Sequence, residues 1–277
     1  MSETEGETPV EVAAEVVEAA VTWPQRSFLS WLQNVGEVFI LLGSTLRELP
    51  SGARKIGLVV TQMEAVGVGS MPLTVIVALF TGAVAAVQAS YQFRDYVPMI
   101  YLGTVIGKSV LIELGPVLTA LVVGGRVSAA IAAELGTMRV TEQVDAMETL
   151  GISPVRYLVV PRFLATVIML PILTIFADVV AILGGYLVAT LTLDVSSHTF
   201  TSGLRLYFKV QDIFSGLIKA FFFGMIISTM GCHYGLRSEG GAEGVGDATT
   251  RAVVASCLLI LIVDYLLASF LFRVLFA

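Results

Sequence analysis

Long apolar runs separated by short polar stretches dominate this chain. Five runs are long enough to cross a bilayer, for which about 20 apolar residues suffice. They lie at about 66–90, 98–125, 159–193, 213–232 and 252–276. Ahead of them Phe28, Leu32, Val35, Phe39, Leu42, Leu46 and Leu49 recur at alternating steps of four and three. Gln33, Asn34, Glu37, Arg47 and Glu48 fall between them. This spacing predicts an amphipathic helix over about 28–49. It would lie along the membrane interface with Trp31 at headgroup depth. A coiled-coil seam is the weaker reading, because the pattern lasts only about three heptads and adjoins a span.

The polar stretch between the second and third runs differs from the other breaks. Glu134 to Pro154 reads ELGTMRVTEQVDAMETLGISP. Val140, Val144, Met147 and Leu150 share one helical face, and Arg139, Glu142, Asp145 and Glu148 recur every third residue on another. Gly151 with Pro154 beyond it is a helix stop. A short amphipathic helix over about 137–151 is therefore expected between two spans. The pattern alone leaves two readings open: a docking element, or a solvated loop helix with no partner. The remaining breaks are a turn at Tyr91–Val97, a polar aromatic stretch at Asp194–Asp212 and a Gly-rich loop at His233–Asp247.

Composition agrees with the runs. Apolar residues make up 56% of the chain and charged residues 14%, where soluble domains carry about 25% charged. The fold class expected is an all-α polytopic integral membrane protein. It would have five transmembrane helices, an N-terminal interfacial helix and the short charged helix between the second and third spans. The net charge of -6 comes from the N-terminus, where Glu3, Glu5, Glu7, Glu11, Glu15 and Glu18 stand without a base. Residues 1–24 read as an acidic mobile tail and 25–277 as one membrane domain. The tail lacks the basic start and early apolar core of a signal peptide. No basic surface points to nucleic acid. Cys232 and Cys257 sit in apolar runs, which suits packing rather than a disulfide or metal pair. His198 and His233 are too few and too scattered for a metal site.

Ten basic residues (Arg26, Arg47, Arg54, Lys55, Arg126, Arg139, Arg156, Arg162, Arg237 and Arg251) fall on one side of a five-span topology. Four (Arg94, Arg205, Lys209 and Arg273) fall on the other. Basic residues favour the cytoplasm, which predicts a cytoplasmic N-terminus and charged helix, with the C-terminus outside.

One apparent motif is rejected. Gly103 to Ser109, GTVIGKS, resembles a phosphate loop, but Leu102 stands where the first Gly belongs and no strand precedes it. No Ser/His/Asp set or carboxylate pair is placed for covalent chemistry, so the chain is expected to be non-catalytic. The charges that do stand out are Lys108, Glu113, Asp178, Lys219 and Asp264, all within predicted spans. Each costs at least about 2.5–3.5 kcal/mol at a helix centre and should face protein or water. Lys108 and Glu113 are five positions apart, about 140° around a helix, so they do not share a face. Glu113 is better placed to pair with Lys219 across helices. Asp178 and Asp264 read mainly as packing residues. Pro116 would kink the span just after Glu113.

The block from Ile112 to Leu164, IELGPVLTALVVGGRVSAAIAAELGTMRVTEQVDAMETLGISPVRYLVVPRFL, closely resembles the MlaE/YrbE permeases. These are the membrane subunits of ABC transporters that move phospholipids or other lipids with MCE-domain proteins. The ELGP run at Glu113–Pro116, the Gly125-Arg126 pair, the PRF after the charged helix and the stretch Asp247–Phe272 carry the resemblance. It covers about 28–276 and leaves out the acidic tail.

The resemblance implies a homodimer, with ATP and Mg held by a separate ABC ATPase and no cofactor in this chain. The helix carrying Glu134, Arg139, Glu142, Asp145, Met147 and Glu148 would be a cytoplasmic coupling helix docked on that ATPase. An MCE-domain protein would sit outside, and a STAS-domain protein often joins the ATPase. Glu113, Lys219 and Pro116 would line a lipid cavity near the headgroup; the competing reading of Glu113 and Lys219 is a structural ion pair. The expected location is a bacterial inner membrane, with a role in outer-membrane lipid asymmetry or lipid trafficking. An ion-coupled secondary transporter using the intramembrane carboxylates is the rival reading, but its expected internal repeat is not visible. A non-transporting membrane scaffold would leave the intramembrane charges without a purpose.

Overall fold

A computed structural model describes residues 32–93 and 96–275. The acidic tail, Phe28 and Trp31 lie outside the described residues. Contacts place the described residues up to Ser44 in one unit and those from Thr45 onward in another. Residues 32–52 form α1, in which Leu32, Phe39 and Ile40 are exposed. The elements that follow are α2 (Ile56–Phe93), α3 (Tyr101–Ser109), α4 (Gly115–Val140), α5 (Gln143–Thr149), α6 (Val160–Leu191), α7 (Ser197–Leu206), α8 (Val210–Leu236) and α9 (Gly241–Leu275). No strand occurs among the described residues. Among the described residues five continuous helical stretches are long and apolar enough to span a membrane: Ile56–Phe93, Tyr101–Val140, Val155–Leu191, Val210–Leu236 and Gly241–Val274. The protein is an all-α polytopic membrane protein.

The helices overrun the apolar runs read from sequence. The first spans 38 residues, about 57 Å at 1.5 Å per residue, well over the roughly 30 Å of a bilayer's hydrocarbon core. Hydropathy marks only the part of a helix that suits lipid; backbone bonding continues past it. The Gly-rich stretch shows the same effect. Gly240 and Gly241 take positive φ and make the turn, and α9 starts at Gly241 rather than about ten residues later. The polar stretch after α6 is likewise not a plain loop. It folds into α7, whose Ser196 accepts a capping bond from the Thr199 N–H at 3.1 Å.

α2 lies along α6, while α4 packs on α8 and α9. Small residues permit the first contact. Ser70, Thr74, Ala78, Gly82 and Ala86 form a buried row four residues apart on α2. A Cβ on Gly82 would collide with the Ala181 carbonyl, and one on Gly184 with the Leu79 carbonyl. Close backbone approach on glycines is how membrane helices gain dispersion contact where lipid removes the hydrophobic drive between them.

Among the described residues two π-helical turns interrupt the bundle, Val110–Leu114 and Val155–Val159. Each ends two residues before a proline, Pro116 and Pro161. Proline has no N–H, and its ring presses on the carbonyl four residues back. A wider turn ahead of the ring relieves that clash, and the Gly115 N–H reaches the Val110 carbonyl instead. An inserted residue also turns the preceding helix by about 100° relative to α4. Glu113 lies inside the first of these turns.

Candidate functional site

Lys219 is fully buried on α8. Its Nζ donates to Glu113 Oε2 at 2.6 Å and lies 2.9 Å from Asp264 Oδ1. The pairing of Glu113 with Lys219 expected from sequence is present. Asp264, read from sequence as a packing residue, joins the pair as a third member. One ammonium thus joins the π turn, α8 and α9. The Lys219 side chain has 0% exposure, whereas Glu113 keeps 40% and Asp264 20%. The cation is sealed inside the bundle and the two acids look outward. Asp264 Oδ1 approaches Lys219 as a charge contact without hydrogen-bond geometry. Pro116 is buried at the start of α4, against α8: a Cβ on Gly216 would meet the Pro116 ring at 3.0 Å and the Leu111 carbonyl closer still. Burial of an ammonium in a bundle is tolerable only with such partners.

Two further intramembrane groups were not paired by the sequence reading. Lys108 lies 3.6 Å from Asp212, whose other oxygen has no hydrogen-bond partner among the described residues; the Asp212 carboxylate also accepts the Lys209 N–H at the start of α8. Asp178 is buried on α6, and its Oδ1 has no hydrogen-bond partner among the described residues. That oxygen lies over Gly115, where a Cβ would strike it. Partners on separate helices leave no trace in local spacing, so sequence reasoning missed both the Lys108 and the Asp264 contacts.

The charged segment after α4 departs from a single helix over 137–151. α4 runs on to Val140, and the chain breaks at Thr141 and Glu142, where Glu142 takes φ 60°. Only Gln143–Thr149 is helical beyond it. The stop matches the Gly151 signal: the Ile152 N–H reaches the Met147 carbonyl and the Gly151 N–H the Glu148 carbonyl, both at 2.9 Å, with Gly151 at φ 72°. Of the four apolar residues expected on one face, Val144 is buried, while Leu150 is 75% exposed. Val144 is buried in the first turn of α5, whereas Leu150 is already its C-terminal cap, beyond the last helical residue.

The six charged and apolar residues assigned to docking also divide. Arg139 forms an ion pair with Asp145 that folds α5 back on the end of α4. Glu134 pairs at 2.8 Å with Arg162 of α6, which is buried and also donates to the Leu158 carbonyl. Met147 is half-buried, and Glu142 and Glu148 are exposed without an ion pair among the described residues. Nearby, Glu48 accepts from Arg156 Nε at 2.8 Å and from the Ser51 hydroxyl at 2.7 Å. The guanidinium, then the hydroxyl, hold the Glu48 carboxyl below its ordinary value.

The sequence profile of the family described as Permease MlaE matches residues 59–270. The chain belongs to the MlaE permease family. The match begins in α2 and ends in α9, so it takes in the Lys219 cluster, both π turns and α5. A probable ABC transporter permease protein of Rickettsia prowazekii is 45% identical over 246 residues, covering 89% of this chain and 95% of the relative. One from Synechocystis is 39% identical over 249 residues, covering 90% and 95%. The protein TRIGALACTOSYLDIACYLGLYCEROL 1, chloroplastic, of Arabidopsis thaliana is 33% identical over 273 residues, covering 99% and 78%. Within this MlaE permease the candidate site therefore has two parts: the Lys219 cluster among the spans and the α5 segment at their end.

Proposed function

We propose that this MlaE permease is the membrane subunit of an ABC transporter that moves phospholipid, or a related lipid, between the inner membrane and an MCE-domain partner. It works as a homodimer and performs no covalent chemistry; a separate cytoplasmic ATPase binds ATP and Mg. The observation that carries this reading is the cluster at Lys219. A cation is buried among apolar spans while Glu113 and Asp264 remain part-exposed beside it. Apolar walls suit acyl chains, and a few fixed polar groups suit a headgroup. The name of the Arabidopsis relative is that of a glycerolipid, which favours lipid over other cargo.

α5 is the surface we assign to the ATPase. Glu142, Glu148 and Leu150 are free to meet a partner, while the Arg139–Asp145 and Glu134–Arg162 pairs brace α5 and α4 against the bundle. ATP-driven closure of two ATPase subunits would push on α5, and α4 would carry the push to the π turn that holds Glu113. The distribution of basic residues favours a cytoplasmic N-terminus and α5, with the C-terminus in the periplasm. A STAS-domain protein bound to the ATPase and a role in outer-membrane lipid asymmetry belong to the same reading.

The test is reconstitution of the permease with its ATPase in liposomes, following lipid-stimulated ATP hydrolysis and lipid transfer to the MCE-domain protein. Wild type should respond to lipid, and Glu113→Lys should lose transfer. Full transfer by Glu113→Lys would remove Glu113 from the cavity. A wild-type response to a proton gradient, with none to lipid, would favour the ion-coupled reading instead.

A further inference from the structure

Arginines tie the helices together at several points. Arg126 of α4 donates to Ser70 Oγ of α2 at 2.8 Å, Arg162 of α6 holds Glu134 of α4, and Arg139 holds Asp145 of α5. Arg156 differs in lying inside the second π turn. Its Nε donates to Glu48 Oε2 at 2.8 Å and its Nη2 to Glu48 Oε1 at 3.3 Å. A two-pronged bond of this kind fixes the direction of the guanidinium as well as its position. The Ser51 hydroxyl donates to the same carboxylate at 2.7 Å.

Two further contacts join the same surfaces. A Cβ on Gly52 would come within 2.5 Å of Val160 Cγ1 and 3.3 Å of the Arg156 carbonyl oxygen. Lys55 Nζ lies 3.2 Å from the centre of the Tyr157 ring, a cation–π contact. Glu48, Ser51, Gly52 and Lys55 follow one another at steps of three, one and three, the spacing of one helical face. That face meets Arg156, Tyr157 and Val160. The corner between α1 and α2 is itself closed by backbone bonds. The Ala53 N–H reaches the Leu49 carbonyl at 2.9 Å and the Lys55 N–H the Gly52 carbonyl at 3.0 Å.

The corner thus grips the helix where its backbone ladder is weakest. The Val160 N–H reaches the Val155 carbonyl. In the same register the Arg156 carbonyl would need the N–H that Pro161 lacks. The turn is also where α5 joins α6. Residues 150–154 connect them, and bonds take up the slack: Ile152 N–H to the Met147 carbonyl at 2.9 Å, and Tyr157 N–H to the Ser153 carbonyl at 3.2 Å. A displacement of α5 therefore arrives at the π turn.

We propose that the α1–α2 corner is the fulcrum of this joint. By holding the turn through Glu48–Arg156 and Lys55–Tyr157, it makes a displacement of α5 tilt α6 instead of carrying the turn along. This fulcrum rests on the reading of α5 as the surface for the ATPase. With the clasp open, ATP is still hydrolysed but the tilt is lost.

Two measurements on the permease reconstituted with its ATPase test this. One is hydrogen exchange over residues 155–160. The other is fluorescent phosphatidylglycerol passed to the MCE-domain protein per ATP hydrolysed. Glu48→Arg should raise the exchange about fivefold and lower transfer per ATP by a similar factor, with ATP hydrolysis unchanged. Adding Arg156→Glu to Glu48→Arg should restore both. Gly52→Ala keeps every charge but forces α1 from Val160; it should act in the same direction and serves if Glu48→Arg fails to fold. Unchanged exchange would mean that the corner does not hold the turn. Raised exchange with wild-type transfer per ATP would mean that the turn is no pivot. Either overturns the fulcrum, and so does an equal loss of hydrolysis and transfer, the mark of a merely structural contact. Wild type that transfers no lipid overturns the lipid-permease reading and the fulcrum with it, whereas the other outcomes leave that reading standing.

Discussion

Lys219 and Arg139 each hold carboxylates, but in opposite surroundings. Lys219 is sealed within the bundle between Glu113 and Asp264. Arg139 and Asp145 sit at the end of α4 with side chains 37% and 49% exposed. A buried charge stripped of its partners costs about 3–5 kcal/mol, because nothing replaces the lost solvation. An exposed pair is worth about 0–1 kcal/mol, because water and salt screen it. The first arrangement therefore holds three helical elements together and resists change. The second can open and exchange partners at small cost, which suits a segment that must meet another protein.

Substitutions can break that contrast, and the largest effect is expected at Lys219. Glu113→Ala combined with Asp264→Ala leaves the buried Lys219 ammonium without a partner and should lower stability by about 3–5 kcal/mol, read by thermal unfolding in detergent. The triple variant Lys219→Met, Glu113→Gln, Asp264→Asn should recover much of that stability and still fail in lipid transfer. Recovery of transfer as well would make the cluster purely structural. Next is Gly82→Ala, which forces α2 from the Ala181 carbonyl and should cost about 1–3 kcal/mol. Ser196→Ala removes the α7 cap and should cost about 1 kcal/mol, with hydrogen exchange rising first in α7.

Asp145→Asn should change unfolding by less than about 1 kcal/mol yet weaken coupling of ATP hydrolysis to transfer. A large stability loss there would place the pair with the buried class. The smallest effect concerns pH. The Glu48 carboxyl is held below its ordinary value of 4.5 by Arg156 and Ser51. A lowered folded value means that its contribution is present above 4.5 and lost as pH falls through the folded value. Hydrogen exchange at the Arg156 end of the link should rise in acid for wild type, while Glu48→Gln should show no such rise.

Several features of this site were legible in the amino-acid sequence. The Gly151 and Pro154 stop was readable because a left-handed cap is a local backbone requirement. The Glu113–Lys219 pair was inferable because an isolated charge in a span demands a partner and few were on offer. Asp264 and the Lys108–Asp212 contact were not inferable, since periodicity tells which face a residue occupies and not which helix it meets. The expected single amphipathic helix over 137–151 divided at Glu142 because the end of α4 packs on the bundle and continues past the apolar run. Arg126 was visible only as a member of the Gly125-Arg126 pair, with nothing in the spacing to aim it at Ser70.

By itself the sequence determined the membrane class, the five spans and the position of the charged segment, because transfer from water to lipid depends on composition over about 20 residues. Its motifs also carried the resemblance to the MlaE permeases, now supported by the match over residues 59–270. Tertiary structure alone decided which charges meet and where the π turns shift the register. Glu113 and Lys219 are 106 positions apart, and Arg126 and Ser70 are 56 apart. Contacts across such separations depend on how whole helices dock, and docking here was set by small residues, glycines and two prolines rather than by the charges themselves.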